Sequence, residues 1–383
     1  EDEVVIKGNT ATYYGGGLTC GSCKVLIKDR VQITDNTSYS FGGALMFSEM
    51  DYILGPDGTP MEAEPVIIQD DVQICRNVSQ QGGGIYFDDL AVELSGNVKV
   101  QDNTAITGAG ICIGATNLFE PAEKAKLTIN DNVLISENHS VFQADIIHKL
   151  PQENAADTAT LSRGMFSVSS TENIENADEE HDALPLVASP EVQNIQVYTE
   201  TGDDETNAAD QLAGGGGVAL FCGEFILNSG TIEANATKSN GGGVYLYREK
   251  VIGYNLDKDK EWLSVYCEPK LHINDGAIKN NNAEQNGGGI YIHENNALSR
   301  DLRTNENSYI TLQYRGVKPA FVGSIAGGTI TENSACQNGG GIYLARDARL
   351  TISQNPVITN NDSANGADNV FLPYLKDMEE KYL

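Results

Sequence analysis

Three acidic pairs, Asp70-Asp71, Asp88-Asp89 and Asp203-Asp204, are the side chains in this sequence whose type suits glycoside cleavage. That chemistry takes two carboxylates about 5 to 10 Å apart, one acting as acid and the other as base or nucleophile. The full set of Asn-Thr-Asp, Asp-Asp, Gly-His-Gly and Arg-x-Lys that marks polygalacturonases does not occur, and none of His139, His148, His181, His272 and His293 follows a glycine. A polysaccharide lyase would need a Lys or Arg base beside a Ca2+ cluster. Asn130-Asp131-Asn132 is the one run of suitable ligands singled out, and the same three residues read as a turn. No cofactor is expected, and Ca2+ is the ion this chemistry would use. The pair in Cys20-Gly21-Ser22-Cys23 has no second pair at zinc-ligand spacing and no βα context for a redox site. A Cys20–Cys23 disulfide, a disulfide between neighbouring coils and a fully reduced set of cysteines all stay open.

Glycine triplets begin at residues 15, 42, 82, 108, 215, 241, 287 and 339, counting looser copies. They do not cradle phosphate: no helical pattern follows them, and no Lys-Ser or Lys-Thr closes a nucleotide loop. Gly82-Gly83-Gly84, Gly241-Gly242-Gly243, Gly287-Gly288-Gly289 and Gly339-Gly340-Gly341 each lead into an apolar run such as Ile342-Tyr343-Leu344. Spacings of 26 or 27 residues recur (15 to 42, 82 to 108, 215 to 241), stretched elsewhere by insertions. A fixed period in the twenties built from short apolar runs identifies a solenoid.

Within a period, an alternation such as Leu350-Thr351-Ile352 is followed by a turn, a second short run such as Val357-Ile358, an asparagine, and then the glycines. These runs are too short for helices and suit strands with aliphatic side chains inward. Three strands and their turns would make one coil of a parallel β-helix. The asparagines are Asn36, Asn77, Asn103, Asn138, Asn235, Asn281, Asn333 and Asn360. At matched positions they predict a column in which each amide bonds the next, with asparagine tolerating left-handed backbone at the corner. The glycines predict close approach of successive coils and positive φ.

Composition sets limits. A net charge of -29, from 54 acidic and 25 basic residues, opposes binding to nucleic acid. No apolar run is long enough for a membrane span. Opening at Glu1 without Met, almost inside a coil at Val4-Val5-Ile6, reads as a piece of a longer protein with flanking domains. Of that charge, 14 acidic residues and one basic residue fall between Gln152 and Gln211, where the repeat stops. The expected organisation is N-terminal coils over 1–149, an acidic insertion over 150–212, C-terminal coils over 213–372, and a cap or linker over 373–383. Further insertions, about 247–268 and 294–322, follow the Gly-Gly-Gly-Ile-Tyr strands and so leave one edge of the stack. They hold Tyr247, Tyr254, Trp262, Tyr266, Tyr309 and Tyr314, the candidate ligand-binding residues. Aromatic faces serve sugar and protein recognition; packing of the loops on the coils accounts for the same residues.

The tandem of asparagine, short spacer, Gly-Gly-Gly-Ile-Tyr and Leu-Thr-Ile resembles the right-handed β-helix regions of large bacterial surface proteins. These include the polymorphic outer-membrane protein and adhesin type and the wall-anchored proteins of gut Firmicutes, whose last coil Asp368-Asn369-Val370-Phe371-Leu372 resembles. The resemblance implies an all-β, pectin-lyase-like right-handed parallel β-helix on an extracellular bacterial surface. The expected function is a non-enzymatic adhesin or stalk that binds a host or neighbouring-cell glycan or glycoprotein through its edge loops. A carbohydrate-active enzyme or glycan-binding module is the alternative.

Overall fold

The computed structural model describes residues 3–21, 24–48, 64–114, 125–146, 149, 195–198, 213–248, 250–255, 262–266, 269–294, 303–304, 310–311, 320–344, 348–366 and 369–372. Most of the acidic insertion and the segment 373–383 lie outside them, as do Tyr309, Tyr314, Cys23 and Cys267.

The chain is all-β, with long stacks of parallel strands compatible with a parallel β-helix. A representative coil has strands Glu224–Leu227, Thr231–Glu233, Ala236–Thr237 and Val244–Arg248. These four positions repeat along the chain and build an eight-stranded, a nine-stranded, a six-stranded and a second nine-stranded sheet. The coil thus has four strands where the sequence predicted three. The additional one is two residues long and follows the asparagine, and two residues carry no alternation from which a strand can be read.

Register holds like residues in columns. Ile33, Ile74, Val100, Ile135, Ile232, Ile278 and Ile330 succeed one another up the second sheet. Their inward side chains form one hydrophobic cluster with Leu45, Phe47, Ile85, Phe87, Phe225 and Leu271, all fully buried. Each such side chain contributes about 1.5 to 3 kcal/mol on burial. Coils on either side of the acidic insertion pair directly, Ile135 with Ile232 and Ile111 with Val218, so the insertion does not interrupt the stack.

The asparagine column is continuous. Asn36, Asn77, Asn103, Asn138, Asn235, Asn281 and Asn333 are almost wholly buried, and each donates from its backbone N and from Nδ2 to the Oδ1 of the next. The next member is Asn361, 5% exposed, which accepts from Asn333 at 3.1 and 2.9 Å. The sequence placed Asn360 here, and the structure corrects it. Asn360 is exposed with φ 55° and occupies the corner just before the column.

That corner is where left-handed backbone falls in every coil: Asp35, Arg76, Asp102, Glu137, Ala234, Asn280, Glu332 and Asn360 all have φ between 53° and 58°. The column residue itself does not make the turn. Its amide fastens the turn to the next coil, which offsets roughly 1 to 2 kcal/mol of strain at each non-glycine corner.

Candidate functional site

Two insertions meet in a small sheet separate from the stack. Ile195–Tyr198 pairs antiparallel with Lys250–Asn255, which in turn pairs antiparallel with Trp262–Tyr266. Tyr254 is the register partner of Trp262 and of Gln196, Lys250 of Tyr266, and Tyr198 of Ile252. Side chains alternate along a strand. Three of the sequence-predicted aromatics, Tyr254, Trp262 and Tyr266, therefore occupy positions on one face of this sheet, and Tyr198 joins them. Sequence alone offers no means of pairing Ile195–Tyr198 with a segment more than fifty residues away.

Tyr247 belongs elsewhere. It lies in the strand Val244–Arg248, half-buried, with its ring 6.0 Å from Tyr245 at 14° and 6.0 Å from Phe221 at 66°. The stack continues from Tyr245 to Tyr291, Tyr343 and Phe371 at ring separations of 5.5, 4.9 and 5.2 Å. These are the tyrosines of the glycine-tyrosine motif, on the outer face of the fourth sheet, and they pack as a second cluster with Tyr86, Met46 and Cys112. Burial, reinforced by neighbouring Tyr343 and Tyr247, pushes the Tyr291 hydroxyl well above the usual phenol range, and burial raises that of Tyr343. Such rings act as packing, and Tyr247 extends that packing.

The outer face of the second sheet carries a shallow groove of about 520 Å3 across its first five strands, lined among others by Arg30, Gln32, Asp71, Gln73, Asn97 and Lys99. Charges of both signs alternate with amides there, and Asn97 donates to Asp71.

The residues considered for Ca2+ are engaged between coils. Asn130 donates to Glu93 and accepts from Asn228, and Asp131 accepts from the Gly96 N–H. Of the acidic pairs, Asp70 accepts from the Asp29 N–H and Asp71 from Asn97, while Asp88 is fully buried. Among the described residues, no three of His, Cys, Asp and Glu come together as a metal-holding group.

Two amide ladders escaped the sequence reading. Asn286 donates to Asn240, Asn338 to Asn286 and Asn365 to Asn338, while Asn228 donates to Asn130 and Asn274 to Asn228. A signal for the first was present: Asn240, Asn286 and Asn338 each directly precede a glycine triplet.

Cys20 is disulfide-bonded, whereas Cys75, Cys112, Cys222 and Cys336 are thiols. Burial holds the Cys112 thiol far above its ordinary range and raises that of Cys75. Since the thiolate is the nucleophile, alkylation of the native protein is expected to modify exposed Cys336 while leaving Cys75, Cys112 and Cys222 unlabelled until denaturant is added. Peptide mapping checks this, and native labelling of Cys112 would contradict the packed outer ladder.

Comparison with protein-family models, curated proteins and solved structures finds no match for this chain. Among the described residues no helix is long and apolar enough to cross a membrane.

Proposed function

We propose that this chain is a right-handed parallel β-helix of a bacterial extracellular surface protein, and that it binds a glycan or glycoprotein of a host or neighbouring cell. The observation that carries the reading is the register of the small antiparallel sheet. Segments from two separate insertions pair so that Tyr198, Tyr254, Trp262 and Tyr266 share one face. Insertions in a solenoid are free of the stacking constraint that fixes every body residue, and binding work commonly sits in them. Aromatic residues arrayed on a short sheet suit stacking against sugar rings.

Other features support the setting. The acidic composition disfavours nucleic acid as a partner. A disulfide at Cys20 suits an oxidising, exported location. The stacked body is a spacer by construction, since length grows by one coil at a time. The alternative, a carbohydrate-cleaving enzyme, would need paired carboxylates at a cleft, whereas Asp70 and Asp71 accept intercoil hydrogen bonds, Asp89 makes a left-handed corner and Asp88 is fully buried.

Binding of the purified chain to an array of glycans and host glycoproteins, with and without Ca2+, tests the proposal. Specific capture is expected, and Trp262→Ala and Tyr254→Ala should each weaken it by about tenfold or more, as aromatic anchors do. Tyr309→Ala reports in the same experiment on the neighbouring insertion. Release of sugar from any captured glycan would favour the enzyme instead, and silence across the array would leave the chain a stalk.

A further inference from the structure

The outer face of the first sheet brings together three side chains from three successive coils. His272, in Lys270–Ile273, has its Nδ1 2.9 Å from Ser324 Oγ, in the next strand, Ala320–Ile325. Its Nε2 lies 3.3 Å from Glu224 Oε1, in the preceding strand, Glu224–Leu227. Register explains the meeting: His272 sits directly beside Ser324, and Glu224 lies diagonally across from it, two residues before Ile226, the register partner of His272. An imidazole with a hydroxyl on one nitrogen and a carboxylate on the other is the nucleophile, base and orienting acid of acyl-transfer sites, which are recognised by geometry and not by chain order.

Just before Ser324 the backbone departs from the regular ladder. Register with the following strand shifts between Phe321 and Gly323, a β-bulge. Gly323 has φ 136°, and a Cβ there would run into the carbonyl of Leu271. Bulges re-aim a side chain and release backbone groups from the ladder, and they concentrate next to active sites. Ser324 itself keeps regular register, beside His272 in one strand and Thr351 in the other, and alternation with buried Ile325 turns its side chain to the outer face. The site is open to reagent: the His272 side chain is 23% exposed and that of Glu224 35%.

The geometry points to Ser324 as a nucleophile for small acyl esters, with His272 as its general base and Glu224 as the residue that positions His272. Ser324 Oγ attacks the acyl carbon, and its proton passes to Nδ1 of His272 while Nε2–H is held by Glu224. Collapse breaks the carbon–oxygen bond of the ester, and the departing alkoxide takes the proton from Nδ1. Water, deprotonated by the same nitrogen, then cleaves the acyl-serine to carboxylic acid and restores the hydroxyl. An open sheet face without enclosing walls favours esters, whose alkoxides leave readily, over amides. None of these residues belongs to the aromatic face, so this inference and the glycan-binding reading stand or fall separately.

The test is labelling of the intact folded chain by an alkyl fluorophosphonate, read by mass spectrometry with peptide mapping. There the Oγ–P bond forms, fluoride leaves, and the proton again goes to His272. The expected result is a single adduct on Ser324, absent in Ser324→Ala, with labelling at least about 100-fold slower in His272→Gln. Glu224→Gln should slow labelling by a smaller factor and alter its pH profile, which a purely structural carboxylate would not do; it also serves if His272→Gln proves unfolded by circular dichroism. An unmodified Ser324 in a chain that melts cooperatively overturns the assignment, as does equal labelling of wild type and both variants.

Discussion

Replacing Asn235 by leucine is expected to destabilise the protein by about 4 kcal/mol, from two stranded backbone groups at about 1 to 3 kcal/mol each. Asn235 is 1% exposed and sits mid-column. Its Oδ1 accepts from the backbone N and Nδ2 of Asn138, at 3.1 and 2.9 Å, while its Nδ2 donates to the Ile135 carbonyl and to Asn281 Oδ1. Leucine is similar in size and removes all four bonds; Asn281 Oδ1 keeps the backbone N–H of residue 235 and Asn138 Nδ2 keeps the Val100 carbonyl, while the Asn138 backbone N–H and the Ile135 carbonyl lose their asparagine partner in a dry interior. Denaturant unfolding measures the loss. Hydrogen exchange should place it first in the neighbouring coils, since solenoid stability is a sum of nearest-neighbour terms. A change below about 1 kcal/mol, the low end for one stranded group, would mean that the column is filler and the aliphatic stack alone holds the coils.

Aspartate at the same site adds a pH signature. One carboxylate oxygen would still accept from Asn138, but the other would face two acceptors, Ile135 O and Asn281 Oδ1. The ionised form is therefore disfavoured in the fold, and the folded-state pKa rises above the unfolded value of about 3.9. A group raised in this way supports the fold below its unfolded pKa and loses that support as pH climbs through the folded value. The stability gap between Asn235→Asp and wild type should be smallest below about pH 4 and widest at neutral pH, with about 1.4 kcal/mol for each unit of pKa elevation.

The asparagines also show how far the sequence can be read. Their spacing revealed the column because one backbone requirement recurs once per coil, and so did the spacing of the glycine triplets. At Asn360-Asn361 the reading slipped by one, because two adjacent asparagines suit two different needs, a left-handed corner and a buried amide. The residue before the column varies freely, from Ala234 to Arg76, so its shared φ left no mark on composition. The outward contacts were harder still. Tyr245 and Tyr247 look alike in sequence to Tyr254 and Trp262, yet the first two fall on a body strand and the others on a separate sheet, a division set by pairing between distant insertions. The Ser324, His272 and Glu224 contact spans coils separated by insertions of irregular length, and no fixed spacing announces it.

Gly242→Ala should be among the most damaging single-methyl changes available in this chain. Of each triplet only the first glycine has positive φ, as at Gly241 with 69°. Gly242 has no such requirement, so backbone preference would allow alanine there. Space does not: a Cβ would stand 2.5 Å from the Gly288 carbonyl oxygen and 2.6 Å from that of Asn282, both backbone atoms of the next coil. Relief would require separating the coils, which breaks the hydrogen bonds from Gly242 N to Gly287 O and from Gly243 N to Gly288 O, each 3.1 Å long. A loss above about 4 kcal/mol is expected, the range reserved for backbone collision and network rupture. Gly8 supplies the opposite case, with φ 70° but no atom within 4 Å of the place a Cβ would take. Gly8→Ala should cost only the left-handed conformation, about 1 to 2 kcal/mol. Matched denaturant titrations decide between the two origins of the glycine pattern: a larger loss at Gly242 means that coil spacing selects the triplets, and a larger loss at Gly8 means that backbone conformation does.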